Sequence, residues 1–228
     1  MNKMQIINRR ANAYVTWSLL AITVAVFLLE TISGGSQNLL TLIHFGAKTN
    51  YLVQEGQWWR LITPIFLHIG IFHILMNGFT LLYVGQILEP MIGHWRFLIV
   101  YMLSGIMGNL ASFAFGANNA ISAGASTSLF GMFAAFLSLA IIYRENRFLT
   151  ELGKSFLGLI VINLLMDLTM SGIDIWGHIG GAVGGLLLGY ALGLPNISRP
   201  KMIFRILAIV VVVAISYYMY AKGMIVYG

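Results

Sequence analysis

The chain has 228 residues, 59% hydrophobic and only 9% charged, against roughly a quarter charged in soluble domains. That excludes a water-facing globular fold, and the absence of cysteine excludes disulfides, thiolate metal sites and a cysteine nucleophile. The formal net charge of +6 is scattered between apolar runs, which reads as a membrane-topology signal and not as a nucleic-acid surface.

Apolar runs of about 20 residues cross a bilayer as helices. Seven are predicted, Ala13–Ile32, Phe66–Leu88, Phe97–Phe115, Ser126–Tyr143, Phe156–Met170, Ile175–Leu194 and Ile203–Ala221. The fold class is therefore an all-α membrane protein, a polytopic bundle of seven transmembrane helices in a single domain spanning residues 1–228, without an internal repeat. The first run is long and has no A-x-A site after it, unlike a cleavable signal peptide. The fifth is the least apolar because it carries Asn163 and Asp167.

Seven spans place the N-terminus and the second, fourth and sixth connections on one side. That side holds Lys3, Arg9, Arg10, Arg96, Arg144, Arg147, Lys154, Arg199, Lys201 and Arg205, ten of the 13 Lys and Arg; the other keeps Lys48, Arg60 and Lys222. The positive-inside rule then predicts a multi-pass cell-membrane protein with a cytoplasmic N-terminus and an external C-terminus.

Polar side chains within spans are costly in hydrocarbon and need a partner or a purpose. Ser126 opens the fourth span from the external side, behind Gly124 and Ala125. His178 lies in the first turns of the sixth, and His73 and Asn77 in the second, all entered from that side. His73 and Asn77 are four apart and share one helix face. They suit two donors converging on one oxygen, or packing contacts between helices. His68 and His73 are turned ~140° from each other, and with no H-E-x-x-H or nearby carboxylate in that span no metal site is expected. After His178 come Gly181, Gly185 and Gly189, a four-residue ladder that lets two membrane helices meet backbone to backbone. Gly193, beyond the ladder, is expected to tolerate substitution better.

A serine beside a neutral imidazole is the minimum for nucleophilic catalysis. The unpaired amides of a helix start then offer a donor to the oxyanion that forms. Asp174, four residues before His178, reads more readily as an N-cap than as an orienter of the base. Asp167 reads as an interhelical partner. Ser128 lies about 200° around the helix from Ser126 and is expected to face away from His178.

"WWR" at Trp58–Arg60, "HIGIFHILMN" at His68–Asn77, "GAS" at Gly124–Ser126 and "GHIGGAVGG" at Gly177–Gly185 together resemble the rhomboid family of intramembrane serine proteases. The resemblance spans Trp58 to Gly189. It implies Ser126 as nucleophile and His178 as base in a dyad without an aspartate, with His73, Asn77 and the Ser126 amide at the oxyanion and Phe130 packed on the base. It also implies that Trp59 and Arg60 help anchor the first external loop in the membrane interface, that Glu89 is structural, and that a core at 13–194 is followed by an extra C-terminal helix at 203–221, the six-plus-one form found in bacteria. The expected partners are transmembrane protein substrates and the lipid bilayer, with no cofactor and no nucleic acid. One departure stands out: Thr127 follows the serine where the family commonly has glycine, which narrows the pocket or weakens the enzyme. Two other readings stay open, an inactive binder of transmembrane helices and a proton-coupled transporter using His73, Asp167 and His178.

Overall fold

The computed structural model describes residues 13–170, 172–195, 197 and 199–226. Helices α1 (Tyr14–Ile32), α4 (Gly70–Ile92), α5 (His94–Phe115), α6 (Ser126–Ile142), α7 (Arg147–Thr169), α8 (Ile175–Leu192) and α9 (Met202–Val226) form the bundle. All but α6 are long and apolar enough to cross a membrane. Two short helices, α2 (Leu39–Phe45) and α3 (Asn50–Gln54), lie in the connection from α1 to α4. Lys3, Arg9 and Arg10, which carry part of the predicted charge asymmetry, fall outside the described residues. Arg96, Arg144, Arg147, Arg199 and Arg205 lie at the end of the bundle opposite Ser126. There Tyr143 Oη accepts from Leu194 N at 3.0 Å and Arg205 Nε donates to Ala191 O at 2.6 Å.

Two predicted boundaries move. Helix α4 begins at Gly70, four residues late, because Thr63–Phe66 closes a separate 3-10 turn with Pro64 in its first positions. Helix α7 begins at Arg147, nine residues early, because Asn146 caps it through Leu149 N at 3.2 Å. Its first turns carry the exposed Glu151–Lys154 pair, a polar extension that hydropathy alone does not count.

At the centre, α8 is wedged between α5 and α6, and glycines on two faces allow it. A Cβ at Gly181 would overlap the Thr127 carbonyl of α6, one at Gly185 the Gly131 carbonyl, and one at Gly189 would come within 3.0 Å of Ala135 Cα. On the other face, Gly180 and Gly184 lie against Met107, Gly108 and Ser104 of α5. Without a hydrophobic driving force in lipid, such close approach is a main source of cohesion. Gly181→Val is therefore expected to lower the melting temperature markedly in detergent, whereas Gly158→Val on α7, where a Cβ meets nothing within 4 Å, leaves it nearly unchanged. Thermal unfolding of both variants checks this. Gly193 is no neutral control, because its φ of +53° is left-handed and any side chain there is strained.

Glu89 ties α1 to the end of α4. Its carboxylate accepts from Val15 N, Thr16 N and Thr16 Oγ1 at 2.9, 2.7 and 2.7 Å, and lies 2.5 Å from His94 Nδ1. It thereby takes up the unpaired amides at the start of α1. The extra helix α9 packs on α5 and α8. Its Gly223 carbonyl accepts from Gln54 Nε2 at 2.9 Å, and its Lys222 ammonium sits 3.9 Å from the Phe115 ring centre.

Candidate active site

Helix α6 starts without a side-chain cap, its N-cap being Ala125. Ser126, the first helical residue, therefore presents a backbone N–H with no intrahelical acceptor. Before it, Gly124 adopts φ +140° and donates its N–H to Pro64 O at 2.8 Å. A Cβ at Gly124 would come within 2.8 Å of His73 Cε1 and 3.5 Å of Asn77 Nδ2, so glycine is needed here for both conformation and space.

Ser126 Oγ lies 2.8 Å from His178 Nε2, the serine from the start of α6 and the histidine from the first turn of α8. The imidazole is held on two further sides. Phe130, one turn along α6, stacks on it with ring centres 4.2 Å apart and planes 9° from parallel. Asp167, near the end of α7, places Oδ2 2.6 Å from His178 Nδ1. The interhelical partner that Asp167 was expected to find is thus His178, whereas the resemblance implies a base with no carboxylate. The end of α7 thus lies beside the start of α8.

Asp174 caps α8, accepting from Gly177 N at 3.0 Å, and does not touch the imidazole. It also accepts from Ser122 Oγ at 2.7 Å. Behind Ser122 runs a buried chain that sequence reasoning missed: Lys48 Nζ donates to Ser112 Oγ at 2.6 Å, and Ser112 Oγ lies 3.2 Å from Ser122 Oγ. Since Ser122 gives its proton to Asp174, Ser112 is the donor between the two serines. Lys48 is fully buried, and burial pushes its ammonium down to about 8, with Asp174 opposing the shift. Between about 8 and the ordinary lysine value the unfolded chain binds the extra proton, so stability rises with pH across that window. Lys48→Met is expected to lose this rise, which melting curves of both proteins from pH 8 to 10 would reveal.

His73 and Asn77 face the same space. His73 Nδ1 accepts from Ile69 N at 3.3 Å, which leaves Nε2 as the protonated nitrogen toward Gly124. Asn77 Nδ2 is buried with no acceptor among the described residues. Both side chains line a cavity of about 720 Å³ with Ser126, His178 and Asp167. Its walls are α4, through Phe72, Phe79 and Tyr83, and α7, through Phe156 and Leu159.

Thr127 lines the cavity together with Ser126. Its side chain fills the room that Gly108 and Gly177 leave, within 2.6 and 3.1 Å of where their Cβ atoms would be. Ser128 Oγ is buried beside Gly105 of α5, away from His178. Trp58 and Trp59 are exposed, but Arg60 turns inward and donates through Nη1 to the carbonyls of Ile43 and Ala47, both at 2.8 Å. It pins the loop to itself. No group of three metal-ligating side chains occurs among the described residues.

Residues 55–195 match the family model described as Rhomboid domain. The chain belongs to the rhomboid family. Among similar rhomboids, the Rhomboid protease GluP of Bacillus subtilis is 42% identical over 205 residues, covering 89% of this chain and 40% of that protein. Rhomboid-like protease 1 of Toxoplasma gondii is 34% identical over 156 residues, 67% of this chain and 52% of that one. RHOMBOID-like protein 1 of Arabidopsis thaliana is 40% identical over 157 residues, 66% of this chain and 39% of that one. This rhomboid thus spans about half or less of the length of these relatives. Its family and its long apolar helices make it a multi-pass membrane protein.

Proposed function

We propose that the protein is an intramembrane serine endopeptidase that cuts transmembrane segments near the external interface. The observation that carries this reading is Ser126 Oγ at 2.8 Å from His178 Nε2, on a cavity that also holds Asn77 Nδ2, which has no acceptor among the described residues. His178 takes the Ser126 proton at Nε2 as Oγ bonds to the substrate carbonyl carbon. The carbonyl oxygen becomes an oxyanion, received by Asn77 Nδ2–H, His73 Nε2–H and the Ser126 amide. Collapse expels the amine, which takes the proton from His178. Water then attacks the acyl-serine with the same base, releasing the new carboxylate and restoring the hydroxyl.

Substrate reaches the serine between α4 and α7, which line the cavity and share little contact across it. A helix arriving there hides its peptide bonds in its own hydrogen bonds, so the segment cut is one that unwinds readily. The excess of basic residues at the opposite end supports an external location for the site. Gly181→Val, which separates α8 from α6, should also slow cleavage by ~10²-fold, as a misplacement of about 1 Å does.

The test is incubation of purified protein, in detergent or liposomes, with a single-span model substrate and separately with a fluorophosphonate. Cleavage within or beside the span, and labelling at Ser126 alone, are expected. An intact substrate with no labelled serine would overturn the reading in favour of a non-catalytic binder of helices.

A further inference from the structure

Asp167 is the charged group that the proposed chemistry leaves unused. Its side chain is 6% exposed, and among the described residues its only polar contact is His178 Nδ1 at 2.6 Å. A carboxylate buried in a membrane helix is costly unless a partner compensates it, and among the described residues that partner is one imidazole nitrogen. The other nitrogen of that ring faces Ser126 Oγ.

An ionised carboxylate only accepts hydrogen bonds. With Asp167 on Nδ1, that nitrogen keeps the proton and Nε2 keeps its lone pair toward the serine, the tautomer a general base needs. The Phe130 ring fixes the imidazole plane without choosing a tautomer, and Asp174 is occupied by Gly177 N and Ser122 Oγ. The titratable groups around His178 are Asp167 from α7, Asp174 from the turn before α8, and His73 and Tyr83 from α4, with His68 beside His73 and Lys48 behind Ser122.

We infer that Asp167 is a positioning residue that extends the Ser126–His178 pair to a serine–histidine–aspartate relay, holding the base in its reactive tautomer and favouring the imidazolium that forms during attack. This rests on the protease reading. Its unusual feature is that the carboxylate comes from α7, a wall of the substrate cavity, so the orientation of the base depends on where that wall stands.

The test compares wild type with Asp167→Asn and Asp167→Ala on a single-span substrate, with melting curves and proton spectra of histidine-labelled protein. Turnover should fall ~10²-fold or more in both variants, since an amide no longer enforces the tautomer, with KM within about twofold because uniform binding is untouched. The low-field Nδ1–H resonance of His178 should appear in wild type and vanish in Asp167→Asn. Loss of rate with an unchanged resonance would make Asp167 a packing tie only and overturn the inference. A wild type that cleaves nothing would sink the protease reading itself, while the resonance would still report whether the carboxylate holds Nδ1–H.

Discussion

Replacing Ser126 by alanine is expected to abolish cleavage, while Ser128→Ala leaves most of it. The two hydroxyls are two positions apart on α6, yet only Ser126 Oγ reaches an imidazole, at 2.8 Å. Ser128 Oγ is fully buried beside Gly105 on the α5 side and has no partner among the described residues. Loss of a nucleophile in a serine hydrolase typically costs about 10⁴-fold or more, because no other group forms the acyl bond. Ser126 contributes no core packing, so its alanine variant should melt like wild type. Turnover and melting temperature of the two variants decide the matter. A reversed result would mean that α6 is out of register by half a turn.

The second large effect is expected at Asn77. Removing one oxyanion donor costs ~10²–10³ in kcat, and Asn77→Ala should show that loss with KM nearly unchanged. What separates this from a structural role is that Nδ2 has no acceptor among the described residues. A buried donor without an acceptor is itself destabilising by roughly 1–3 kcal/mol, so truncation removes a liability along with some packing. The melting temperature should hold while turnover collapses. A variant that loses stability and keeps its turnover would make Asn77 a link between helices.

The membrane helices were legible because hydropathy is counted residue by residue, and α1, α5 and α8 lie within a few residues of where composition puts them. The ladder of Gly181, Gly185 and Gly189 was legible because period four marks one helix face. The second glycine face, Gly180 and Gly184, was not, since nothing in a row of glycines says that two neighbours press on the same helix. Asp167 beside His178 was hidden for a related reason. Its partner depends on how the ends of α7 and α8 are angled, and an eleven-residue separation carries no period. Lys48 looked like a loop charge, and only its burial against Ser112 exposes the chain to Asp174. Likewise Arg60 sat in a recognisable motif, but its inward turn onto Ile43 and Ala47 comes from the loop's own fold.

The brevity of α6 has a consequence for the surrounding lipid. Its 17 residues rise about 25 Å, some 5 Å short of a hydrocarbon layer of ~30 Å. A helix that short at the lipid boundary would force the bilayer to thin or tilt it out of line. Thirteen of its residues are buried in the bundle, so the acyl chains meet α1, α4, α7 and α9 in its place. The short helix is thus shielded from the acyl chains by the protein's own helices, and its first residue, Ser126, lines the cavity they enclose.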